Sequence, residues 1–542
     1  MVGFKNPKSA LLVTAMGICF FPQIGMAQQQ SIFCLEGGVQ IGVERFETRD
    51  NKFFLYVPGS SSPLEYPASS VKGINVPCQA AGSSNTQNTQ SNASTSSNEF
   101  GVQGSNTIGE RLMPMLIEAY GTKKFGVKPA NKLIGNEEEQ ITLKNSSGAS
   151  TVIDLQSHGS GTATPGLLEG KAIIGMASRR LTADEQKKLS DKYNVNILAP
   201  GNEHVLALDG LAVIVNPTNS VKQLSLDQIA QIFSGEITNW HDVGGADLPI
   251  NVYRRDNKSG TFDTFKSLVL QPSGGTKRDI SPQAKPFESS ESLSDEVAHD
   301  PKGIGFIGLP YIGKNNALSI SSPCGIASSP SKFTVKNEEY PLARRLYLYT
   351  LGAPANPTAR ELLEFALSDD AQATVTDAEF VNQAIDFEDD DLQSRWTQDV
   401  LNNSSRTLGY DKPIPASVAS SFSRAMGQTH RTTIAFRFEK GSAQLDNRAL
   451  QDVARLSRYL ASPAMSNKRF YLIGFADSSG GWASNQNLAT QRAVAVGLEL
   501  QKTGLRVTRD NISAFSYLAP VACNESDAGA AKNRRVEVWI ER

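Results

Sequence analysis

Arg255-Asp256-Asn257-Lys258-Ser259-Gly260-Thr261 is the stretch on which the reading of the fold turns. Before it, Ile250-Asn251-Val252-Tyr253 alternates as a strand does; after it, Phe262, Phe265, Leu268 and Val269 fall at helical spacing. A strand, a short Ser/Gly turn and a helix start make a place for an anion. The first helical turn has N–H groups without internal partners, and the peptide dipoles add partial positive charge there. Gly260 lets the main chain come close, Ser259 and Thr261 add hydroxyls, and Arg255 adds a planar fork suited to a tetrahedral oxyanion. Taken alone, the same turn also describes an ordinary capped helix after a strand.

Two further stretches carry the same device. Gly104-Ser105-Asn106-Thr107-Ile108 opens a helix whose apolar positions are Ile108, Leu112, Leu116 and Ala119. Ser157-His158-Gly159-Ser160-Gly161-Thr162-Ala163 is followed by Pro165 and Leu167-Leu168. Between them, Ile173-Ile174-Gly175-Met176-Ala177 reads as a buried strand ending in Ser178-Arg179-Arg180. Strands and helices alternate from 99 to 403, which predicts an α/β domain. Three such turns in one α/β domain predict a site that surrounds a small anion with hydroxyls and N–H groups.

The chain of 542 residues has room for several domains, and 53 basic against 55 acidic residues leave no basic stripe for nucleic acid. Residues 1–27 read as a cleavable export signal, with an uncleaved anchor as the alternative: Lys5 and Lys8, then the apolar run Ala10 to Phe21, then Gly25 and Ala27. Cys19 follows Ile18 and Cys34 follows Phe33, not the small residue expected before a lipid-modified cysteine. Export leaves Cys34, Cys78, Cys324 and Cys523, an even set that invites disulfides. Cys34 with Cys78 is the natural first pair, whereas Cys324 and Cys523 either bridge two domains or stay two buried thiols. Residues 31–79 alternate as a small β module, with Val39, Ile41 and Val43, then Phe54 and Tyr56 after the turn Arg49 to Lys52. A bridge there would offset its small core by up to ~4 kcal/mol. Residues 81–98, rich in Ser, Asn, Thr and Gln, read as a flexible linker.

Residues 99–403 resemble the periplasmic phosphate-binding protein of the phosphate ABC transporter. The motifs are GSNTI, GSGTA, IGMASRRLT, LAVIVNP, LSLDQIAQIFSGEITNWHDVGG, YRRDNKSGTFDTF and GIGFIGLPY. The resemblance implies a two-lobed α/β periplasmic-binding-protein fold, with crossing strands and a ligand in the cleft. Carried over by motif, the oxyanion contacts are Thr107, Ile108, Ser160, Ser178, Arg255, Ser259, Gly260 and Thr261. It also implies an ABC permease as a candidate partner. One position departs. Where well-known members carry an Asp after the strand-ending Ser, to accept the proton of hydrogen phosphate, this chain has Arg179, which has no acceptor. Asp256 either supplies that acceptor or points to solvent. The run from Leu224 to Gly245 reads as structural, a helix and turn under the second lobe.

No catalytic arrangement is expected. Ser160 sits in GSG, not in the GxSxG of a nucleophile elbow, and the five histidines (158, 204, 241, 299 and 430) lack metal-ligand spacing. Neither metal nor cofactor is implied. Asp386 to Asp391 reads as a solvated acidic face, and 404–429, with Pro413, Pro415 and several serines, as a linker.

Residues 430–542 alternate as βαβαββ, a compact α+β domain. They resemble the OmpA-like domain that associates with peptidoglycan, through FRFEKGSAQLD, IGFADSSG, NQNLATQRAVAV and NESDAGAAKNRRVEVWI. The resemblance implies that Asp477 and Arg492, with Asn485 beside them, hold the diaminopimelate of the stem peptide. That amino acid offers a free ammonium and a free carboxylate, which suit an Asp and an Arg. Ala476 and Ala489 stand where members often carry hydroxyl residues. Together the readings describe an exported, peptidoglycan-associated periplasmic receptor at the outer membrane. The alternative is a structural or adhesive envelope protein that uses the same fold without transport.

Overall fold

The computed structural model describes residues 99–407 and 416–542, apart from Lys258, Ser273 and Ser466, together with six short strands between 31 and 74. Those six strands form two three-stranded antiparallel sheets. One orders Gln40–Val43, Ser31–Leu35 and Val71–Ile74; the other orders Arg45–Arg49, Lys52–Tyr56 and Leu64–Pro67. Arg49 pairs with Lys52, as the hairpin reading requires. The export signal, the linker 81–98 and the Cys34–Cys78 pairing lie outside the described residues.

Residues 99–380 form two lobes on one curled sheet. Its order is Lys285–Phe287, Asn251–Arg255, Gly303–Gly308, Glu203–Val215, Ala343–Tyr349, Ile174–Ala177, Glu99–Gly104, Ser150–Gln156, Glu138–Lys144 and Ala130–Gly135. The strand Glu203–Val215 is buried along its whole length and belongs to both lobes. Its Leu206 and Ala207 pack in one core, with Val102, Leu116 and Ile174. Its Leu208, Leu211, Val213 and Val215 pack in a second core, with Phe233, Phe265 and Phe306. Ala343–Tyr349 pairs with it antiparallel from Glu203 to Gly210. These are the two crossing strands, so the loops that face each other over them come from different lobes.

Local chemistry explains the second lobe's base. Ser225 caps the helix Leu226–Ser234 in a reciprocal box with Gln228, and Gly235 ends it in the left-handed conformation at φ 86°. Asn239 then starts a short turn that buries Trp240, whose Nε1 donates to Lys302 O at 3.1 Å. This stretch supports the lobe and lies under it.

The C-terminal sheet orders Thr429–Arg437, Arg535–Glu541, Phe470–Phe475 and Ile512–Ala514, with Asn447–Leu460 and Trp482–Lys502 packed on one face. The segment expected as the linker 404–429 is largely helical, within Asp390–Thr407 and Ala416–Gly427. Val418, Phe422 and Met426 recur every fourth residue among the serines, and they cover the sheet's other face at Phe475, Phe515 and Trp539. Serine content masked that apolar stripe.

The acidic run is likewise not simply solvated. Asp386 pairs with Lys336 at 2.5 Å and exchanges main-chain and hydroxyl hydrogen bonds with Thr433. Glu388 lies 3.6 Å from Arg431, a buried guanidinium held between the rings of Phe333 and Trp396 and paired with Glu339 and Glu537.

The described residues from 99 to 542 belong to one compact unit. The C-terminal domain touches both lobes. Asn447 donates to Leu198 O at 2.7 Å, and Arg458 pairs with Asp369 at 2.9 Å, on the first lobe. Lys532 donates to Glu339 O at 3.1 Å on the second lobe, and Cys324 is disulfide-bonded to Cys523 across 199 residues. Of the two readings left open for that pair, the bridge is the one present.

Candidate functional site

Three turns meet where the crossing strands pass. The first is the short helix Asn106–Gly109, set by Ser105 N donating to Met176 O at 2.9 Å. The second is the turn Ser160–Thr162, after Gly159 at φ 96°, a backbone that glycine tolerates best. The third is the helix Gly260–Phe265, capped by Ser259, whose Oγ accepts from Thr261 N at 3.2 Å. Thr107 and Gly260 come from opposite lobes and touch: a Cβ on Gly260 would lie 2.7 Å from Thr107 Oγ1. The cleft is closed at this point, and only glycine fits the approach.

Thr107, Ser178 and Ser259 are buried, and Ser160 and Thr261 are half-buried. Ser160 Oγ lies 3.1 Å from Ser178 Oγ and accepts from Ser178 N at 3.0 Å. The residue that joins the turns is Arg344, on the crossing strand Ala343–Tyr349. Its Nη1 donates to Ser178 Oγ at 3.2 Å; its Nη2 donates to Thr107 Oγ1 at 3.1 Å and to Gly260 O at 3.3 Å. Its Nε donates to Asp209 Oδ2 at 3.2 Å, and Asp209 Oδ2 also accepts from Thr264 Oγ1 at 3.1 Å. Burial pulls the guanidinium below its ordinary range, and Asp209 counters that pull.

The other expected contacts are placed differently. Ile108 is fully buried, and its N–H donates to Ser105 O at 3.2 Å. Arg255 is half-buried, and its fork turns to the start of the helix Ser290–His299, donating to Ser290 Oγ at 2.6 Å and Glu288 O at 2.7 Å. Its Nε has no partner among the described atoms, and burial lowers its pKa. Arg179 turns away onto Glu185, with two hydrogen bonds of 2.7 and 2.9 Å. His158 pairs with Glu138 at 2.9 Å. At the cleft mouth, desolvation and the carboxylates of Glu137, Asp256 and Asp263 push Glu110 up to about 7.

Arg344 was missed in the sequence because Ala-Arg-Arg-Leu-Tyr-Leu-Tyr carries no turn motif. An arginine within a strand otherwise half apolar was the available signal.

In the C-terminal domain, Asp477, Asn485 and Arg492 are all buried. Asp477 Oδ2 pairs with Arg534 at 2.9 Å, and its Oδ1 accepts from Ser479 N at 2.9 Å. Burial acts to raise this carboxyl, but the hydrogen bonds from Ser479 and Arg534 hold it below the usual carboxylate range. Arg492 donates to Ser442 O at 2.9 Å and Glu439 O at 3.1 Å, and lies over Phe438 at 5.4 Å. Its buried Nη1 has no partner among the described residues, and burial beside Arg534 pulls the guanidinium down to about 10. Asn485 donates to Ser479 O at 3.3 Å. Arg534 thus belongs to this cluster, although in the sequence only its place in the motif NRRVEV marks it.

A PBP superfamily domain model matches residues 115–370, and an OmpA family model matches residues 437–534. The chain is 32% identical over 235 residues to the phosphate-binding protein PstS of Bacillus subtilis (strain 168), a match covering 42% of this chain and 70% of that protein. It is 30% identical over 244 residues to PstS of Pseudomonas aeruginosa PAO1, covering 41% and 72%. A solved ABC-type phosphate transport receptor from Vibrio cholerae is 25% identical, with a TM-score of 0.40, over 52% of this chain and 99% of that one.

Proposed function

Because the chain belongs to the PstS family of phosphate-binding proteins and carries an OmpA-family domain, we propose that it is an exported receptor for phosphate or a related oxyanion, held on peptidoglycan by its C-terminal domain. The observation that carries the reading is the meeting of Thr107, Ser160, Ser178 and Gly260 around the largely buried guanidinium of Arg344. A hydroxyl-rich meeting point of two lobes with a fixed positive charge suits a small anion, because donors held in place need no reorganisation when the charge arrives. Ser259 and Thr261 complete the second lobe's side, and Arg255 adds charge from the margin.

The C-terminal cluster supports the second half. Arg492 keeps a buried Nη1 without a partner among the described residues, its N–H groups left for a carboxylate. Asp477 offers the charge that an ammonium would meet. Diaminopimelate in a stem peptide has both groups. The receptor then sits in the periplasm, on the wall below the outer membrane, where an ABC permease is its natural client.

Thermal unfolding of the mature chain in millimolar phosphate, compared with chloride of equal ionic strength, tests the cleft, and co-sedimentation with purified sacculi tests the anchor. Stabilisation by phosphate together with sedimentation supports the receptor. Sedimentation without any anion effect favours the second reading, an envelope structural or adhesive protein. One observation favours that reading: Arg255 engages Ser290 and Glu288 within its own lobe.

A further inference from the structure

We propose that the groove between the second lobe and the C-terminal domain binds a linear polyamine cation, with one ammonium on Glu388, another on Asp399 and the methylene stem over Leu392 and Trp396. The site shares no residue with the anion cleft or with the Asp477 cluster.

The groove has a volume of about 740 Å³, in the range that holds a small organic ligand. One wall is the second-lobe hairpin around the strand Ala327–Ser328, and the other is the helix Asp390–Thr407. On that helix Leu392, Trp396 and Asp399 fall four and three residues apart, so they share one face. Leu392 keeps 48% of its surface exposed, and Trp396 is half-buried. A methylene chain lying there would cover apolar surface that water now meets.

Glu388 is the residue that points to a cation. Its side chain is only 10% exposed, and its Oε2 has no hydrogen-bond partner among the described residues; Arg431 Nη1 lies 3.6 Å away. That guanidinium is already paired with Glu339 and Glu537. A buried carboxylate without donors is costly, and the cost keeps Glu388 protonated up to about 7. An ammonium from a guest would supply the donors and let the group ionise. Ser328 Oγ, also buried and without a partner among the described residues, lines the same groove and can accept from the same ammonium.

The second carboxylate, Asp399, lies about 13 Å from the helix start at 1.5 Å per residue, a span that an extended triamine covers. Arg395, the other cation on the groove wall, turns its Nε back to Asp391 O at 3.2 Å. The charged groups facing Glu388 are Arg431 on the strand Thr429–Arg437, Glu339 on the second lobe and Glu537 on the strand Arg535–Glu541. Asp390, His430, Lys468 and Glu541 line a separate cavity of about 320 Å³ that Glu388 also borders. Of the two cavities Arg431 borders only the larger, so the carboxyl beside it belongs to the groove.

The test is calorimetric titration of the mature chain with spermidine at pH 6 and 7.5 and fixed ionic strength, for wild type, Glu388→Gln and Asp399→Asn, with butylamine and magnesium chloride as comparisons. One spermidine per chain is expected. Its affinity should be about eightfold lower at pH 6, because a guest that needs Glu388 ionised must displace a proton from a group titrating at about 7. Glu388→Gln is expected to lose about tenfold in affinity, the scale of one charge-assisted hydrogen bond, together with the pH dependence. Asp399→Asn is expected to lose about threefold and to keep the pH dependence, since Asp399 is exposed. Butylamine, with one ammonium, should bind more weakly than spermidine. No heat from millimolar spermidine, magnesium bound as tightly, an affinity unchanged in folded Glu388→Gln, or a pH dependence that survives in it and so belongs to a group such as His430, overturns the proposal. If Glu388→Gln does not fold, the wild-type pH series and Asp399→Asn still decide.

Discussion

Arg344 and Arg345, neighbours on the crossing strand, face opposite ways: Arg344 reaches Thr107 Oγ1 in the cleft at 3.1 Å, and Arg345 reaches Asp446 Oδ2 at 2.8 Å. The alternation is that of any strand, whose side chains leave by turns to either face. Asp446 caps the helix Asn447–Leu460 of the C-terminal domain. One strand thus touches both the anion cleft and the first helix of the wall-binding domain.

The approach of Thr107 to Gly260 leaves no room for a methyl group. Gly260→Ala is expected to hold the lobes apart and to weaken anion binding at least tenfold, since overpacking costs about 1–3 kcal/mol. Global stability should change little without ligand, because the open form relieves the contact. Titration calorimetry beside thermal unfolding separates the two effects, and undiminished affinity would show that the two turns need not meet.

The Cys324–Cys523 bridge ties the second lobe to the C-terminal domain. Cys324→Ser with Cys523→Ser is expected to lose about 2–4 kcal/mol. Urea unfolding with and without reductant checks this: oxidised, the wild type should unfold at higher urea than the variant, and with both reduced the two midpoints should coincide.

Burial pushes Glu388 up to about 7, against the opposing pull of Arg431. Its pKa is raised in the folded state, so the folded chain holds a proton that the unfolded chain releases. Stability from this group is complete below about 4.5 and is lost as pH rises through about 7. Glu388→Gln removes that loss. Between pH 5 and 7.5 the variant's melting temperature should rise relative to wild type, read by calorimetry at matched ionic strength.

Asp477→Ala and Arg492→Ala should each release the protein from sacculi. Arg534→Ala should weaken retention as well, because Arg534 holds Asp477 in place at 2.9 Å. Each charge-assisted contact contributes about 1.5–3 kcal/mol, so retention should drop at least tenfold in a pull-down. Sacculus binding unaltered in folded Asp477→Ala and Arg492→Ala would reduce the cluster to a structural brace.

Local features of the fold were legible because their causes are local. The turns at Thr107, Ser160 and Ser259 announce themselves by small and hydroxyl residues before an apolar periodicity. The helix 226–234 carries its own cap and stop. Contacts made by the chain crossing itself were not legible. Arg344 bonds to residues 237, 166 and 84 positions away, and no spacing in the sequence records that. Arg255 sits in the best-matched motif, yet its fork meets Ser290, 35 residues on. The Cys324 partner, and the helix at 416–427 hidden among serines, were settled by packing between domains.

Whether the interlobe cleft holds one small oxyanion is read by native mass spectrometry of the mature chain purified from cells. One tetrahedral anion per chain is expected, displaced by excess phosphate or sulfate and lost in Gly260→Ala. A bare chain that stays bare in millimolar phosphate and sulfate would contradict it.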